Sequence, residues 1–249
     1  MKPFRLDTAE GTLLDAHLFW NSSTKKRDDQ AHHLGHGRWT PRAWRKHGQA
    51  YFSLFREHFG EDFTGRMLEW GCGGGANVVA FAEQFEHIVG VDISPDSLRR
   101  CAQACEEMVT KGYHFEPFPI SIEDPFAARA LKSEGNLFDF LLCIEVVQHM
   151  PSARYARDVM ELWSELCWKG AGAMVQFRTH FRSRAAHRSP TVNYSDNVSR
   201  WLMLNPAVFA DMAVSAGWEV VAMRGTGLTE FDPQRPTGYV DAFLRNMRA

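Results

Sequence analysis

The stretch Met67-Leu68-Glu69-Trp70-Gly71-Cys72-Gly73-Gly74-Gly75 constrains this chain more than any other segment. It reads as a buried strand that runs into a glycine turn. Gly71, Gly73 and Gly75 carry no Cβ, so the backbone there can turn tightly and come close to a ligand. A helix expected from Ala76 aims its first free N–H groups, and the positive end of its dipole, at the same place. Ile88-Val89-Gly90-Val91-Asp92 then reads as a second buried strand that ends on a carboxylate, 17 positions beyond Gly75. A strand, a turn, a helix and a strand in this order make a unit that holds a nucleotide-like ligand, with the carboxylate free to accept hydrogen bonds from ribose hydroxyls.

The rest of the chain continues the alternation. Before the turn, Thr40-Pro41 reads as a helix start, and Trp44, Tyr51, Phe55 and Phe59 recur at helical spacing over about 41–59. After Asp92, Ser94-Pro95 caps a helix with the stripe Leu98, Cys101, Cys105 and Met108. His114–Ile120 reads as a weak strand interrupted by Pro117 and Pro119. Phe138–Ile144 is a continuous apolar run, the mark of a strand covered on both faces. Ser152 opens another helix, Ala173–Phe177 is a buried strand, and Asn205-Pro206 caps a helix that stops at Gly217. Trp218–Met223 and Tyr239–Leu244 close the chain as two strands. The fold class is α/β: a Rossmann-like, mostly parallel sheet with helices on both faces and an N-terminal helical extension. Residues 1–62 are expected to form that extension, and residues 63–249 the main domain.

Composition narrows the function. The net charge is −2 over 249 residues, so the surface as a whole does not advertise nucleic acid or an anionic membrane. No apolar run approaches the roughly 18 residues of a membrane helix, and the start Met1–Asp7 lacks the apolar core of a signal peptide. A cytoplasmic location is the expectation. The five cysteines are odd in number and form no CxxC pair. His32 and His36 stand at helical spacing without a supporting acid or thiol set, so no metal is expected.

Two cofactors fit the turn. Gly71-Cys72-Gly73-Gly74-Gly75-Ala76 satisfies G-x-G-x-x-A, a dinucleotide pattern, and equally G-x-G-x-G. Glu69 favours one of them. A carboxylate two residues before the first glycine is a poor neighbour for a pyrophosphate and suits the ammonium of a methionine moiety.

With these residues in view, Leu68–Gly75 and Val91-Asp92-Ile93-Ser94 resemble the first two motifs of class I S-adenosylmethionine-dependent methyltransferases. Cys143-Ile144-Glu145-Val146-Val147-Gln148-His149-Met150 is similar to the segment after the fourth strand in their small-molecule branch, which includes the ubiquinone-biosynthesis O-methyltransferases. The resemblance implies a seven-stranded sheet whose last strand is antiparallel. It implies S-adenosyl-L-methionine as methyl donor, with S-adenosyl-L-homocysteine as product. Glu69, Gly71 and Gly73 would line the methionine part, Asp92 would hold the ribose with Ile93 against the adenine, and Ile144 would lie under the sulfonium region. Cys72, Gly75, Ser94 and Glu145 would be further cofactor contacts. One of Ile122, Glu123 and Asp124 would meet the adenine amino group; the sequence leaves the choice open.

On the acceptor side, His149 is the candidate general base for an oxygen acceptor. The alternative is a structural histidine bonded to the helix start at Ser152. The segment Arg178–Arg200 holds seven Arg and His residues against one acid, Asp196. Most of them read as a solvated loop; Arg178 and His180, nearest the strand end, are the expected contacts to an anionic acceptor. Tyr194 and Trp201 would add aromatic walls, and Trp39, in an N-terminal lid, is a further expected acceptor contact. The expected function is methylation of a small molecule bearing a hydroxyl, carboxylate or phosphate. The rivals are an NAD(P)-dependent oxidoreductase, for which no Tyr-x-x-x-Lys pair is present, an RNA-modifying methyltransferase, for which no appended RNA-binding module is visible, and a catalytically silent binding domain. The sequence does not fix the oligomeric state.

Overall fold

The computed structural model describes residues 13, 16, 19, 20, 41–61, 63–132, 136–180, 202–225 and 237–248. Seven strands form one sheet: β1 (Arg66–Trp70), β2 (His87–Asp92), β3 (His114–Pro119), β4 (Phe138–Cys143), β5 (Cys167–His180), β6 (Trp218–Gly225) and β7 (Thr237–Asn246). Their order is β3-β2-β1-β4-β5-β7-β6. Every neighbouring pair up to β5 is parallel, and β7 runs antiparallel to both β5 and β6. The sequence order reverses between β1 and β4. A ligand crevice opens at such a switch point, beyond the carboxyl ends of the strands.

Pro117 and Pro119 are tolerated because β3 is the sheet edge, where a missing N–H leaves no ladder bond unmade. β5 is longer than the apolar run predicts. It begins at Cys167 immediately after the helix Ala153–Leu166 and continues to His180, because β7 pairs along it from Gly172 to His180.

The sheet is covered on both faces by α1 (Pro41–Phe59), α2 (Ala76–Phe81), α3 (Pro95–Thr110), α4 (Ala153–Leu166) and α5 (Pro206–Ser215). Alternate side chains of one strand serve opposite layers. In β4, Phe140 and Leu142 pack with α1, α2 and α3, while Leu141 and Cys143 pack with α4 and α5; Phe138, across a register shift from Phe140, joins the second layer out of alternation. α1 contributes Tyr51, Phe55 and Phe59, all buried, to the first layer. Leu13 and Ala16, both helical and buried, join the second. Among the described residues no helix is long and apolar enough to cross a membrane.

α1 sits close to the glycine turn because Gly48 has no side chain. A Cβ there would stand 2.1 Å from the Ala76 carbonyl oxygen, at the first residue of α2. A buried network fixes the same helix from beneath: the Gln176 amide donates to the Tyr51 hydroxyl at 2.8 Å and to the Asp241 carboxylate at 2.9 Å. The close approach makes Gly48→Ala a test of the packing. The substitution should destabilise by about 1–3 kcal/mol in chemical denaturation, as overpacked sites do. An unchanged midpoint would show that α1 can move off α2 freely.

Candidate functional site

The glycine turn is hooked onto β2 by its own backbone. The Gly71 and Cys72 N–H groups both donate to the Val91 carbonyl, at 2.7 and 3.1 Å. Gly71 has φ 78°, and a Cβ there would lie 2.2 Å from Val146 Cγ2, so the loop after β4 presses directly on the turn. Gly75, at φ 86°, leads into α2, and its missing Cβ leaves room for Cys101 Sγ. The turn therefore requires glycine for conformation and for contact at once.

Asp92, at the end of β2, accepts from the Gly73 N–H at 2.8 Å and from the Ser94 N–H at 2.8 Å. Burial pushes its carboxyl above the usual range, and the amides of Ser94, Gly73 and Ile93 pull it back. A carboxylate offers about four acceptor positions, so acceptor capacity remains for a ligand. Ser94 caps α3, its hydroxyl accepting from the Ser97 N–H at 3.3 Å. It supports Asp92 from behind rather than facing the cavity.

Glu69 is 1% exposed. The Asn77 amide donates to one of its oxygens at 2.8 Å, and the other oxygen has no hydrogen-bond partner among the described residues. Burial raises its pKa to about 8; the Asn77 hydrogen bond opposes that rise, and the Asp92 charge adds to it. A buried carboxyl with one idle oxygen is costly unless a cation or donor arrives to meet it. Cys72 beside it is a protonated thiol. Its contact with Cys101 lowers the pKa, but burial and the charges of Asp92 and Glu69 outweigh that and bring it to about 11.

These residues line one end of a cavity of about 780 Å³. Gly71, Cys72, Gly73, Ile93, Ile122 and Ile144 share that wall. Of the three candidates after β3, Ile122 lines the cavity, and its carbonyl accepts from the Tyr155 hydroxyl at 3.0 Å; Glu123 and Asp124 are exposed and off the wall.

The other end is built from distant segments: Phe19 and Trp20, Trp44 and His47 of α1, Glu145 and His149 after β4, and Tyr239 of β7. Glu145 is the one described residue other than glycine with positive φ, at 61°. A left-handed backbone at such a residue costs on the order of 1–3 kcal/mol and is kept where surroundings enforce it. His47 Nε2 lies 4.0 Å from its carboxylate. His149 packs edge-on against Trp20, with ring centroids 4.9 Å apart, and its Nε2 is 3.3 Å from the Gln148 amide. α4 has no need of His149 as a cap, because the Ser152 hydroxyl itself accepts from the Tyr155 N–H.

Arg178 lies behind the wall rather than on it. Its guanidinium sits 5.2 Å from the Tyr239 ring centroid, and Nη1 is 3.4 Å from the Tyr239 hydroxyl. Trp39, Tyr194, Trp201 and the His180 side chain fall outside the described residues. Sequence reasoning assigned no site role to Phe19, Trp20, His47, Asn77, Gln148 or Tyr239. Asn77 alone had a local signal, an amide at the start of the helix that follows the turn.

The strand order and the single antiparallel strand are those of the class I S-adenosylmethionine-dependent methyltransferase fold. Residues 67–167 match the family described as "Methyltransferase domain". In sequence the chain is similar to the ubiquinone biosynthesis O-methyltransferase of Pasteurella multocida (strain Pm70), at 30% identity over 90 residues, 34% of this chain and 36% of that protein. It thus spans about a third of that relative's length. In structure it is similar to the magnesium protoporphyrin IX methyltransferase (ChlM) from Synechocystis PCC 6803 with bound SAM, with TM-score 0.60 and 14% identity over 97% of this chain and 100% of that one. It is also similar to the [4+2]-cyclase SpnF, with TM-score 0.64 and 11% identity over 99% and 100%. At such identities the structural likeness is one of fold.

The buried acid yields a pH prediction. Glu69 holds a proton between about pH 4.5 and 8 in the folded chain and has lost it in the unfolded one. Stability should therefore fall as pH rises through that window. An ammonium placed against Glu69 must expel the proton. Calorimetric titration with S-adenosylhomocysteine at pH 7, in buffers of differing ionisation enthalpy, should show release of about one proton, and Glu69→Gln should abolish it. Equal proton release by the variant would remove Glu69 from the ligand.

Proposed function

We propose that this chain transfers a methyl group from S-adenosylmethionine to a hydroxyl of a small molecule. The observation that carries the reading is Glu69: a buried carboxyl with an idle oxygen, on the cavity wall, beside the glycine turn. It suits the ammonium of the methionine moiety, and the free positions of Asp92 suit ribose hydroxyls. A dinucleotide is disfavoured on the same ground. The Gly73 N–H is already spent on Asp92, and the Asp92 carboxylate beside the turn repels a pyrophosphate. The match of residues 67–167 to a methyltransferase domain supports the same donor.

S-adenosylmethionine supplies an activated methyl on a positively charged sulfur. The chain's part is to hold the acceptor in line and exclude water. Ile144 and the rings of Phe19 and Trp20 offer an apolar lining for that purpose. His149 is the proposed acceptor of the hydroxyl proton. Its ring stands edge-on to Trp20 and its Nε2 lies 3.3 Å from the Gln148 amide, contacts that hold the imidazole on the cavity wall.

Two variants separate donor binding from chemistry. Asp92→Ala should weaken S-adenosylhomocysteine binding at least about tenfold, as loss of charged hydrogen bonds does; unchanged affinity would refute the ribose role. His149→Ala should keep that affinity. It should also reduce labelled-methyl transfer into a metabolite extract by about 10²–10⁴-fold. Wild-type transfer by that variant would make His149 a packing residue.

A further inference from the structure

The acceptor end of the cavity has a charge character that the sequence does not suggest. No Lys or Arg side chain lines the cavity among the described residues. Three carboxyl groups do: Glu69, Asp92 and Glu145. The first two belong to the donor end, Asp92 through its bonds to Gly73 and Ser94, and Glu69 through its place beside the turn.

Glu145 is different. Its side chain is 44% exposed and stands where the β4 loop meets α1. The cation-forming group beside it is His47, at 4.0 Å. Burial lowers the pKa of His47, against the pull of Glu145, so near neutral pH the imidazole leaves the carboxylate's charge largely uncancelled. The backbone of Glu145 is held in the left-handed region, and the residue lines the cavity. The rings of Trp20, Trp44, His47 and Tyr239 line the same cavity, and His47 is the one that stands beside Glu145. The Trp44 indole N–H is buried and has no hydrogen-bond partner among the described residues, so it is free to donate to an acceptor oxygen. An anion entering here would meet a carboxylate and no described cation. A cation would meet a carboxylate and aromatic faces, the combination that binds ammonium groups.

We propose that the methyl acceptor carries a protonated amine, held by the Glu145 carboxylate among the rings of Trp20, Trp44, His47 and Tyr239. The proposal rests on the methyl-donor reading above and concerns only the acceptor's class. It replaces the anionic acceptor expected from Arg178. That guanidinium lies against Tyr239 and steadies a wall of the cavity instead of lining it.

The test uses two phenols that differ in the charge of their side chain. Tyramine carries an ammonium and 3-(4-hydroxyphenyl)propionate carries a carboxylate. Each is titrated calorimetrically into the full chain saturated with S-adenosylhomocysteine. Tyramine should bind at least about tenfold more tightly. The difference should vanish in Glu145→Gln and survive in part in Glu145→Asp. Preference for the propionate, no binding of tyramine at millimolar concentration, or an unchanged preference in Glu145→Gln would each overturn the proposal. So would a Glu145→Gln variant that binds S-adenosylmethionine less well, but S-adenosylhomocysteine and tyramine as before, since the carboxylate would then serve the donor's sulfonium. A wild-type chain with no affinity for S-adenosylhomocysteine would overturn the donor reading itself, and the two failures are thereby told apart.

Discussion

The Val91 carbonyl is the hinge of the whole arrangement. By accepting from both Gly71 and Cys72 it ties the glycine turn to the neighbouring strand, and the parallel register that pairs Trp70 with Val91 sets the height of that tie. Asp92 follows at once and takes the Gly73 N–H. Three consecutive bonds thus close the turn before any ligand is present. The order of the site at the donor end is a property of the backbone, and the side chains inherit it. Asp92 is a structural acceptor as well as the proposed ribose contact, so a change there would alter the turn as well as ligand binding.

The two ends of the cavity are made in different ways. The donor end comes from consecutive elements, β1, its turn and β2, whose relation is fixed by strand pairing. The acceptor end is assembled from α1, two residues of an N-terminal helix, the β4 loop and one residue of β7. Its precision depends on long-range packing: Gly48 against Ala76, and the Tyr51–Gln176–Asp241 network beneath α1. His47 lies one helical turn before Tyr51 and packs edge-on against it, at 4.9 Å between centroids, so the network that seats Tyr51 also sets His47.

This division explains what was legible in the sequence. The meeting of Glu69, Gly71, Gly73 and Asp92 at one turn could be read because it follows from a local pattern of strand, turn and strand. The sheet could be read because apolar runs alternate with helical stripes. The two prolines of β3 weakened a strand in the reading but not in the fold, since an edge position forgives them. The convergence of His47, Glu145, Trp20 and Tyr239 could not be read. These residues are far apart in the chain, and only the crossing of α1 over the switch point brings them together. Arg178 misled for the same reason: its charge was plain, but the ring of Tyr239 that claims it lies on β7. The left-handed backbone of Glu145 leaves no trace in a residue type that rarely adopts it.

The central claim is that the cleft beyond β1 and β2 holds a methyl donor by its ammonium and its ribose. A crystal structure of the chain soaked with S-adenosylhomocysteine tests it most directly. The account predicts the ligand's ammonium within hydrogen-bond distance of the idle oxygen of Glu69 and its ribose hydroxyls on Asp92. A ligand bound elsewhere, or a dinucleotide occupying this cleft in its place, would contradict it.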